Sequence, residues 1–107
     1  MNNPYQQNLS RRELNQQLLI GLKRHLMIAQ DTTAKKDARL QSLRNLDEVL
    51  EFVVGDINSA VGEAERAILF RFFNLLLQRV KFALIDIHSK PAAFTEEIAF
   101  INILLKI

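Results

Sequence analysis

The 107-residue chain contains no cysteine and no tryptophan, and it has only 3 glycines and 2 prolines. Without cysteine there is no disulfide framework, no thiolate zinc site and no thiol nucleophile. So little glycine and proline argues against collagen-like sequences, flexible linkers and all-β folds with many turns. Apolar residues make up 49% of the chain, which is too much for an intrinsically disordered protein. These absences favour one α-rich globular domain.

An excess of one charge is also lacking, because 14 basic residues oppose 12 acidic ones. Basic pairs such as Lys35-Lys36 have an acid close by, so we interpret them as solvated helix faces rather than nucleic-acid contacts. The first residues lack the pattern of a signal peptide, and polar side chains interrupt the apolar segment 68–87 too often for a membrane span. The sequence therefore predicts a cytoplasmic protein with no nucleic-acid partner and no membrane insertion.

Helix signals divide the chain into an arm and four segments. Residues 1–9 have no helical apolar period and predict an extended arm. Ser10 and Glu13 have the spacing of a capping box, which predicts a first helix from there to about Gln30. Leucines at steps of three and four predict a second helix over about residues 33–59.

The third helix is predicted over about residues 63–89 and has the strongest apolar signal. Lys90-Pro91 should end it, because proline excludes the α conformation before it. Thr95 is the expected N-cap of a short fourth helix. Short connections between these helices predict an antiparallel up-down four-helix bundle over residues 10–107, with the arm at 1–9.

Residues that carry chemistry are sparse. Neither His25 nor His88 has an acid three residues before it, so the Glu-x-x-His pattern of a metal bundle is missing. The three glycines stand apart and form no phosphate-binding loop. We interpret His25 as a partly buried histidine that is hydrogen-bonded locally, and His88 as a helix-end residue. The sequence predicts no enzyme, with no catalytic residue, no cofactor and no metal.

Apolar residues exceed what one face of each helix can bury. The third helix has one seam through Leu69, Phe73, Leu76 and Val80, and a second through Ile68, Phe72, Leu75, Phe82 and Ile85. A helix that is apolar around so much of its circumference is central in the fold or covered by a partner. Six further apolar residues fit no single seam and either complete a wide core or form a partner surface: Phe52, Val54, Phe70, Leu77, Ile103 and Ile107.

The pattern resembles the flagellin export chaperone family, FliS. The segment Asn3-Pro4-Tyr5-Gln6-Gln7 is similar to the short N-terminal element of that family, and residues 13–29 are similar to its first-helix signature. The long second and third helices and the short fourth helix complete the resemblance over essentially the whole chain. The chain departs from the family in two places: Leu19 and Ile20 stand where a tyrosine is expected before Gly21, and the usual polar C-terminal tail is short.

The resemblance implies a function. Chaperones of this family are cytoplasmic bundles that bind the disordered C-terminal segment of new flagellin, prevent premature polymerisation and support flagellum assembly through type III export. Their N-terminal arm covers part of an apolar groove until cargo displaces it. Transferred to this chain, the resemblance makes Tyr5 the plug and predicts five groove residues: Leu43, Leu50, Phe52, Phe70 and Leu77. Two alternatives stay open: a homodimeric structural or regulatory bundle, and a chaperone for another type III secretion client.

Overall fold

The structure is a computed structural model that describes residues 11–60 and 63–107, with side chains described for residues 13–57 and 64–107. These residues form four helices and no strand: α1 Arg11–Gln30, α2 Lys36–Ala60, α3 Glu63–Ile85 and α4 Thr95–Lys106. The all-α prediction is confirmed. The predicted arm with Tyr5, the Ser10 half of the capping box and Gly62 lie outside the described residues.

The hydrophobic core receives side chains from all four helices and from the α3–α4 connection. α2 packs against α1 and α3, and α1 also packs against α4. Each fully buried leucine, valine or phenylalanine contributes about 1.5–3 kcal/mol to folding, so one shared core suffices for a domain of this size. The core consists of Leu22, Leu26, Ala29, Leu43, Leu46, Leu50, Val53, Ile57, Phe73, Leu76, Leu77, Val80, Phe94 and Ile101.

α2 begins at Lys36, three residues later than the sequence predicted. The carboxylate of Asp31 accepts hydrogen bonds from the Thr33 backbone N–H, at 2.8 Å, and from the Thr33 hydroxyl, at 2.7 Å. The Ala34 N–H donates to the Asp31 carbonyl. This local bonding holds residues 31–34 in a turn, since an aspartate that bonds its own neighbourhood competes with the helix.

α3 ends at Ile85, so the predicted extension to residue 89 is wrong. The Asp86 N–H still donates to the Phe82 carbonyl, but the Ser89 N–H donates to the Asp86 carbonyl in a tighter turn. The Ser89 hydroxyl also donates to Asp86 Oδ1 at 2.6 Å. α3 therefore ends before Pro91, because residues 86–89 form their hydrogen bonds within a local turn instead of continuing the helix.

The predicted N-cap at Thr95 is also wrong, because Thr95 is the first residue of α4 and Phe94 occupies the cap without a side-chain capping bond. The Phe94 ring is fully buried, and its N–H donates to Gln30 Oε1 at 2.8 Å. The Phe94 carbonyl accepts from the Ile98 N–H. A buried aromatic ring, held from α1, thus fixes where α4 begins.

Arg79 joins α3 to α4 and to the connection between them. Its guanidinium forms a salt bridge with Glu97 and donates to the Ala93 carbonyl at 2.7 Å. The guanidinium carbon lies 4.9 Å from the centre of the Phe94 ring, within the range of a cation–π contact. We call Arg79, Glu97 and Phe94 the Arg79 clamp.

Candidate partner-binding surface

Three of the predicted groove residues lie in the core. Leu43, Leu50 and Leu77 are at most 4% exposed, so none of them is available to a partner on the surface of this structure. Leu77 is buried because the inner face of α3 is wide: Phe73, Leu76, Leu77 and Val80 follow the spacing of a broad helical face rather than a single seam. Placing Leu77 outside the seam was therefore wrong.

The other two described groove residues differ from each other. Phe70 is half-buried and packs against the core. Phe52 is 72% exposed on α2. It borders an apolar cavity of about 430 Å3, which we call the end cavity, together with Leu18 and Leu19 of α1, Leu69 of α3 and Leu104 of α4. Three more of the apolar residues that fit no single seam in the sequence are Val54, Ile103 and Ile107. Val54 packs against the core, whereas Ile103 and Ile107 are exposed.

Among the residues whose side chains the structure describes, α3 carries the most large exposed apolar residues. Ile68, Leu75 and Phe82 are 64%, 56% and 71% exposed, and we call these three residues the α3 stripe. Their spacing of seven residues places them on one line along the helix, with a drift of only about 20° per step. Ile85 is exposed beyond the end of this line. The second seam predicted for α3 is thus mostly solvent-facing.

The α3 stripe continues sideways onto α4. Phe72 lies between stripe positions and is half-buried because its ring stacks on Phe100, with 4.2 Å between the ring centres. Leu75, Phe72 and Phe100 line an open cleft of about 730 Å3 between the two helices. Glu96 and Glu97 of α4 also line this cleft. Apolar side chains with acidic residues beside them are the surroundings in which an amphipathic helix can bury its apolar face.

A second cavity adjoins the stripe at Phe82. It has a volume of about 250 Å3 and lies between α2, the end of α3 and residues 89–92. Its charged residues are Arg39, Arg79, Asp86 and Lys90, and we call it the basic cavity. Glu97 balances Arg79, so two basic residues, Arg39 and Lys90, remain against the one carboxylate of Asp86, and the cavity carries a small positive charge.

Neither His25 nor His88 lines the end cavity, the cleft between α3 and α4 or the basic cavity. His25 Nδ1 is 3.4 Å from the Oγ atom of the buried Ser42 on α2. The sequence predicted a local hydrogen-bond partner for His25, whereas the partner in the structure belongs to the next helix. Lys36 Nζ donates to His88 Nδ1 at 3.1 Å. Within residues 11–60 and 63–107, no three histidine, aspartate or glutamate side chains come together to hold a metal ion.

Comparison of the chain with protein-family models, with curated proteins and with solved structures finds no match in any of the three. A separate finding concerns membranes: over the described ranges, no helix has both the length and the apolar content that crossing a bilayer requires.

The α3 stripe is the feature that the sequence contained but did not assign to a partner. Both α3 seams have helical spacing, and periodicity alone does not say which of the two faces the core. The exact repeat of seven among Ile68, Leu75 and Phe82 was the available signal, since a heptad line typically seats another helix.

Proposed function

We propose that this chain is a cytoplasmic export chaperone that binds the disordered C-terminal segment of flagellin and keeps it from polymerising before export. Two kinds of evidence support the proposal. The first is the resemblance carried by Asn3-Pro4-Tyr5-Gln6-Gln7 and by residues 13–29. The second is the observation that carries the proposal physically, namely the uncovered α3 stripe beside the aromatic pair Phe72 and Phe100.

An antiparallel up-down arrangement of the helices is part of the proposal. The end cavity is lined by residues from the first half of α1, the second half of α2, the first half of α3 and the end of α4, such as Leu19, Phe52, Leu69 and Leu104. The Lys36–His88 contact brings the start of α2 to the turn that follows α3. Both observations support helices that alternate in direction, which leaves the outer faces of α3 and α4 side by side.

The binding mechanism follows from the exposed apolar area. A disordered segment that folds into a helix on the α3 stripe gains apolar burial and loses chain entropy, so its affinity is moderate and release remains feasible. We propose that Tyr5 and the arm at 1–9 cover part of the apolar surface until cargo arrives. Phe52, at the rim of the end cavity, is the groove residue from the sequence prediction that remains exposed for such a contact.

Co-purification with the C-terminal segment of flagellin from the same organism tests the function. We expect a 1:1 complex by light scattering coupled to gel filtration. Replacing Leu75 and Phe82 by serine should weaken the complex at least tenfold, because both side chains lose the apolar area that cargo would cover. The matched control is Ile20→Ser, which alters an exposed apolar residue on α1.

Two results would contradict the proposal. Absence of a complex under conditions that keep both chains soluble removes flagellin as the cargo. A wild-type dimer that the Leu75 and Phe82 substitutions convert to a monomer favours the alternative of a homodimeric bundle, because the stripe would then be covered by a second copy.

A further inference from the structure

The α3 stripe is symmetric about its middle residue. Ile68 and Phe82 each lie seven residues from Leu75, and all three side chains are more than half exposed. If the α3 of a second copy lies antiparallel with Leu75 against Leu75, Ile68 of each copy meets Phe82 of the other. This pairing has a two-fold axis at Leu75 and uses the same surface twice, as in most homodimers.

The stripe has two flanks, one towards α4 and one towards α2. The flank towards α4 carries Phe72, whose ring stacks on Phe100, and Arg79, which pairs with Glu97. At about 3.6 residues per turn, the helix places Glu65 and Asp86 on this same flank. The flank towards α2 carries the exposed residues Ala64, Ala67, Arg71, Gln78 and Ile85. In the antiparallel pair each flank meets its own counterpart, because the two-fold axis is perpendicular to both helices.

The flank towards α2 fits its own counterpart. Ile85 of one copy lies level with position 65 of the other, so its exposed side chain meets the small side chains of Ala64 and Ala67. Arg71 comes beside Gln78, whose amide oxygen accepts from a guanidinium N–H. The two Arg71 side chains lie about 12 Å apart along the axis, which exceeds the Debye length of about 8 Å at physiological salt. This flank therefore adds apolar contacts and a polar pair without bringing like charges together.

The two ends of the stripe carry opposite charges. Glu65 lies at one end, and among the described residues neither Glu65 nor Lys90 forms a salt bridge. At the other end, Arg39 and Lys90 of the basic cavity outweigh Asp86 by one positive charge. The antiparallel pairing brings Glu65 of each copy to the basic cavity of the other, beside the exposed Lys90. Two such pairs of opposite charge form in each dimer.

Other arrangements lack this charge complementarity. A parallel pairing keeps Glu65 and Lys90 at opposite ends of the dimer, so neither meets its opposite charge, and it sets Ile85 beside Asp86 of the other copy. Residues 1–10 of the same chain contain no aspartate or glutamate, so that segment brings no acidic side chain to the basic cavity. The charges and the symmetric stripe therefore favour a second copy in the antiparallel orientation.

We propose that two copies of the chain pair antiparallel through the α3 stripe, with Leu75 on the two-fold axis and Glu65 of each copy beside Lys90 of the other. The contact uses the outer face of one helix, which offers about a dozen residues, whereas a stable interface has about 20–30 residues on each side. The dimer is therefore weak, with a dissociation constant on the order of 100 µM.

Self-pairing goes beyond the proposed function, because it requires no cargo. It covers the same three side chains that the proposed cargo covers, so the second copy and the cargo compete for the α3 stripe. A dimer this weak dissociates during gel filtration, where the test with flagellin expects a 1:1 complex. A dimer that survives that dilution belongs to the alternative of a homodimeric bundle.

Sedimentation equilibrium of the full-length chain from about 10 µM to about 1 mM measures the pairing. We expect a monomer–dimer equilibrium that Leu75→Ser combined with Phe82→Ser weakens about tenfold or more. Glu65→Lys and Lys90→Glu should each weaken it about fivefold at low salt, and the two together should return it to within about twofold of the wild-type chain. Glu48→Lys, at an exposed position of α2, changes the net charge as Glu65→Lys does and should leave the pairing unchanged.

Cysteine cross-linking tests the orientation, because the chain has no cysteine of its own. In the antiparallel dimer the two positions 75 face each other at the axis, whereas the two positions 65 lie about 30 Å apart along it. A disulfide requires a Cα separation of about 4.4–6.8 Å. In a glutathione redox buffer, Leu75→Cys should form a covalent dimer about tenfold faster than Glu65→Cys or than Ile20→Cys on α1.

Several results would overturn the inference. A chain that stays monomeric up to about 1 mM removes the dimer. Cross-linking of Glu65→Cys as fast as that of Leu75→Cys removes the antiparallel orientation, and a combined charge variant that pairs no better than either single variant removes the Glu65–Lys90 contact. If the serine substitutions lower the helix content, the charge variants decide, because Glu65 and Lys90 are both exposed.

These readouts are separable from the test with flagellin. A weak dimer without flagellin binding would leave the self-pairing standing and remove flagellin as the cargo. A flagellin complex formed by a chain that is monomeric at all concentrations would leave the chaperone function standing and remove the self-pairing.

Discussion

Lys81 is the residue whose charge most clearly depends on the fold. Its ammonium nitrogen lies 2.8 Å from Glu51 Oε1 and 3.0 Å from Asp47 Oδ1, so it joins α3 to α2. The hydrogen bond to Glu51, followed by the one to Asp47, raises the pKa of Lys81 above its ordinary value of 10.5. The folded state therefore holds this proton more tightly than the unfolded state does.

This shift predicts a stability effect at alkaline pH. Because the pKa of Lys81 is raised on folding, its contribution is fully present below pH 10.5 and is lost as the pH rises through the folded value. Lys81→Met should lower the urea midpoint at neutral pH, and the wild-type and variant curves should converge above pH 10.5. Chemical denaturation across the pH range measures this. Lys106→Met is the control, and the same pH dependence in both variants would contradict the prediction.

Asp31 shows how one polar residue changes an element boundary. Hydrogen bonds from the Thr33 hydroxyl and then from the Thr33 backbone lower the pKa of Asp31 below its ordinary value of 3.8. The sequence predicted a break between α1 and α2 at Asp31-Thr32-Thr33. It did not predict that α2 begins three residues later, at Lys36, which is a consequence of these hydrogen bonds. Hydrogen bonds between a polar side chain and nearby backbone groups compete with the helix, but they hardly change the spacing of apolar residues from which helix ends are predicted.

At the scale of elements, helix positions were predictable and helix ends were less so. α1 ends at Gln30 as predicted, because the apolar stripe stops there and a turn sequence follows. The end of α3 was misplaced because the Asp86–Ser89 turn ends it locally, and the start of α4 was misplaced by one residue because Phe94 is held by long-range packing. The bond from the Phe94 N–H to Gln30 spans 64 residues of sequence and leaves no local pattern.

Because the Arg79 clamp joins α4 to α3, we predict that a substitution of Arg79 weakens the attachment of α4. Arg79→Met removes the salt bridge to Glu97 and the hydrogen bond to Ala93. We expect a stability loss of about 1–2 kcal/mol, since the ion pair is partly solvent-screened and the hydrogen bond adds a similar amount. Amide exchange should accelerate in α4 more than in α2, which packs against both α1 and α3.

Hydrogen exchange followed by mass spectrometry measures the effect on each helix. Arg71→Met is the matched control, because Arg71 lies on the same helix and is exposed. Equal acceleration in α2 and α4 would indicate that the clamp stabilises the whole core and does not specifically hold α4.

For the whole molecule, the sequence predicted how many helices form but not which face of α3 is covered. The seam through Phe73, Leu76 and Val80 is buried, while the stripe through Ile68, Leu75 and Phe82 is exposed. Both have helical spacing and similar side chains. The choice depends on how α2 and α4 approach α3, which is a property of the packed chain. For the same reason Leu43 and Leu50 were predicted as groove residues and lie in the core.

Adjacent leucines on α3 provide the sharpest test of this arrangement. Leu76 is 1% exposed and belongs to the core shared by all four helices, whereas Leu75 is 56% exposed. Leu76→Ala should cost about 2–5 kcal/mol, through lost burial and a residual cavity, and should destabilise all helices in one cooperative transition. Leu75→Ala should cost no more than about 0.5 kcal/mol in the free chain, as for other surface substitutions.

Urea denaturation followed by circular dichroism compares the two variants, with equal slopes expected and a lower midpoint for Leu76→Ala alone. The experiment is repeated at several protein concentrations, because a stripe covered by a second copy would make the cost of Leu75→Ala rise with concentration. Equal and concentration-independent costs for both leucines would mean that Leu75 is buried within the folded chain itself. Since the proposed cargo face requires Leu75 to be free, that result would remove the surface on which both proposals depend.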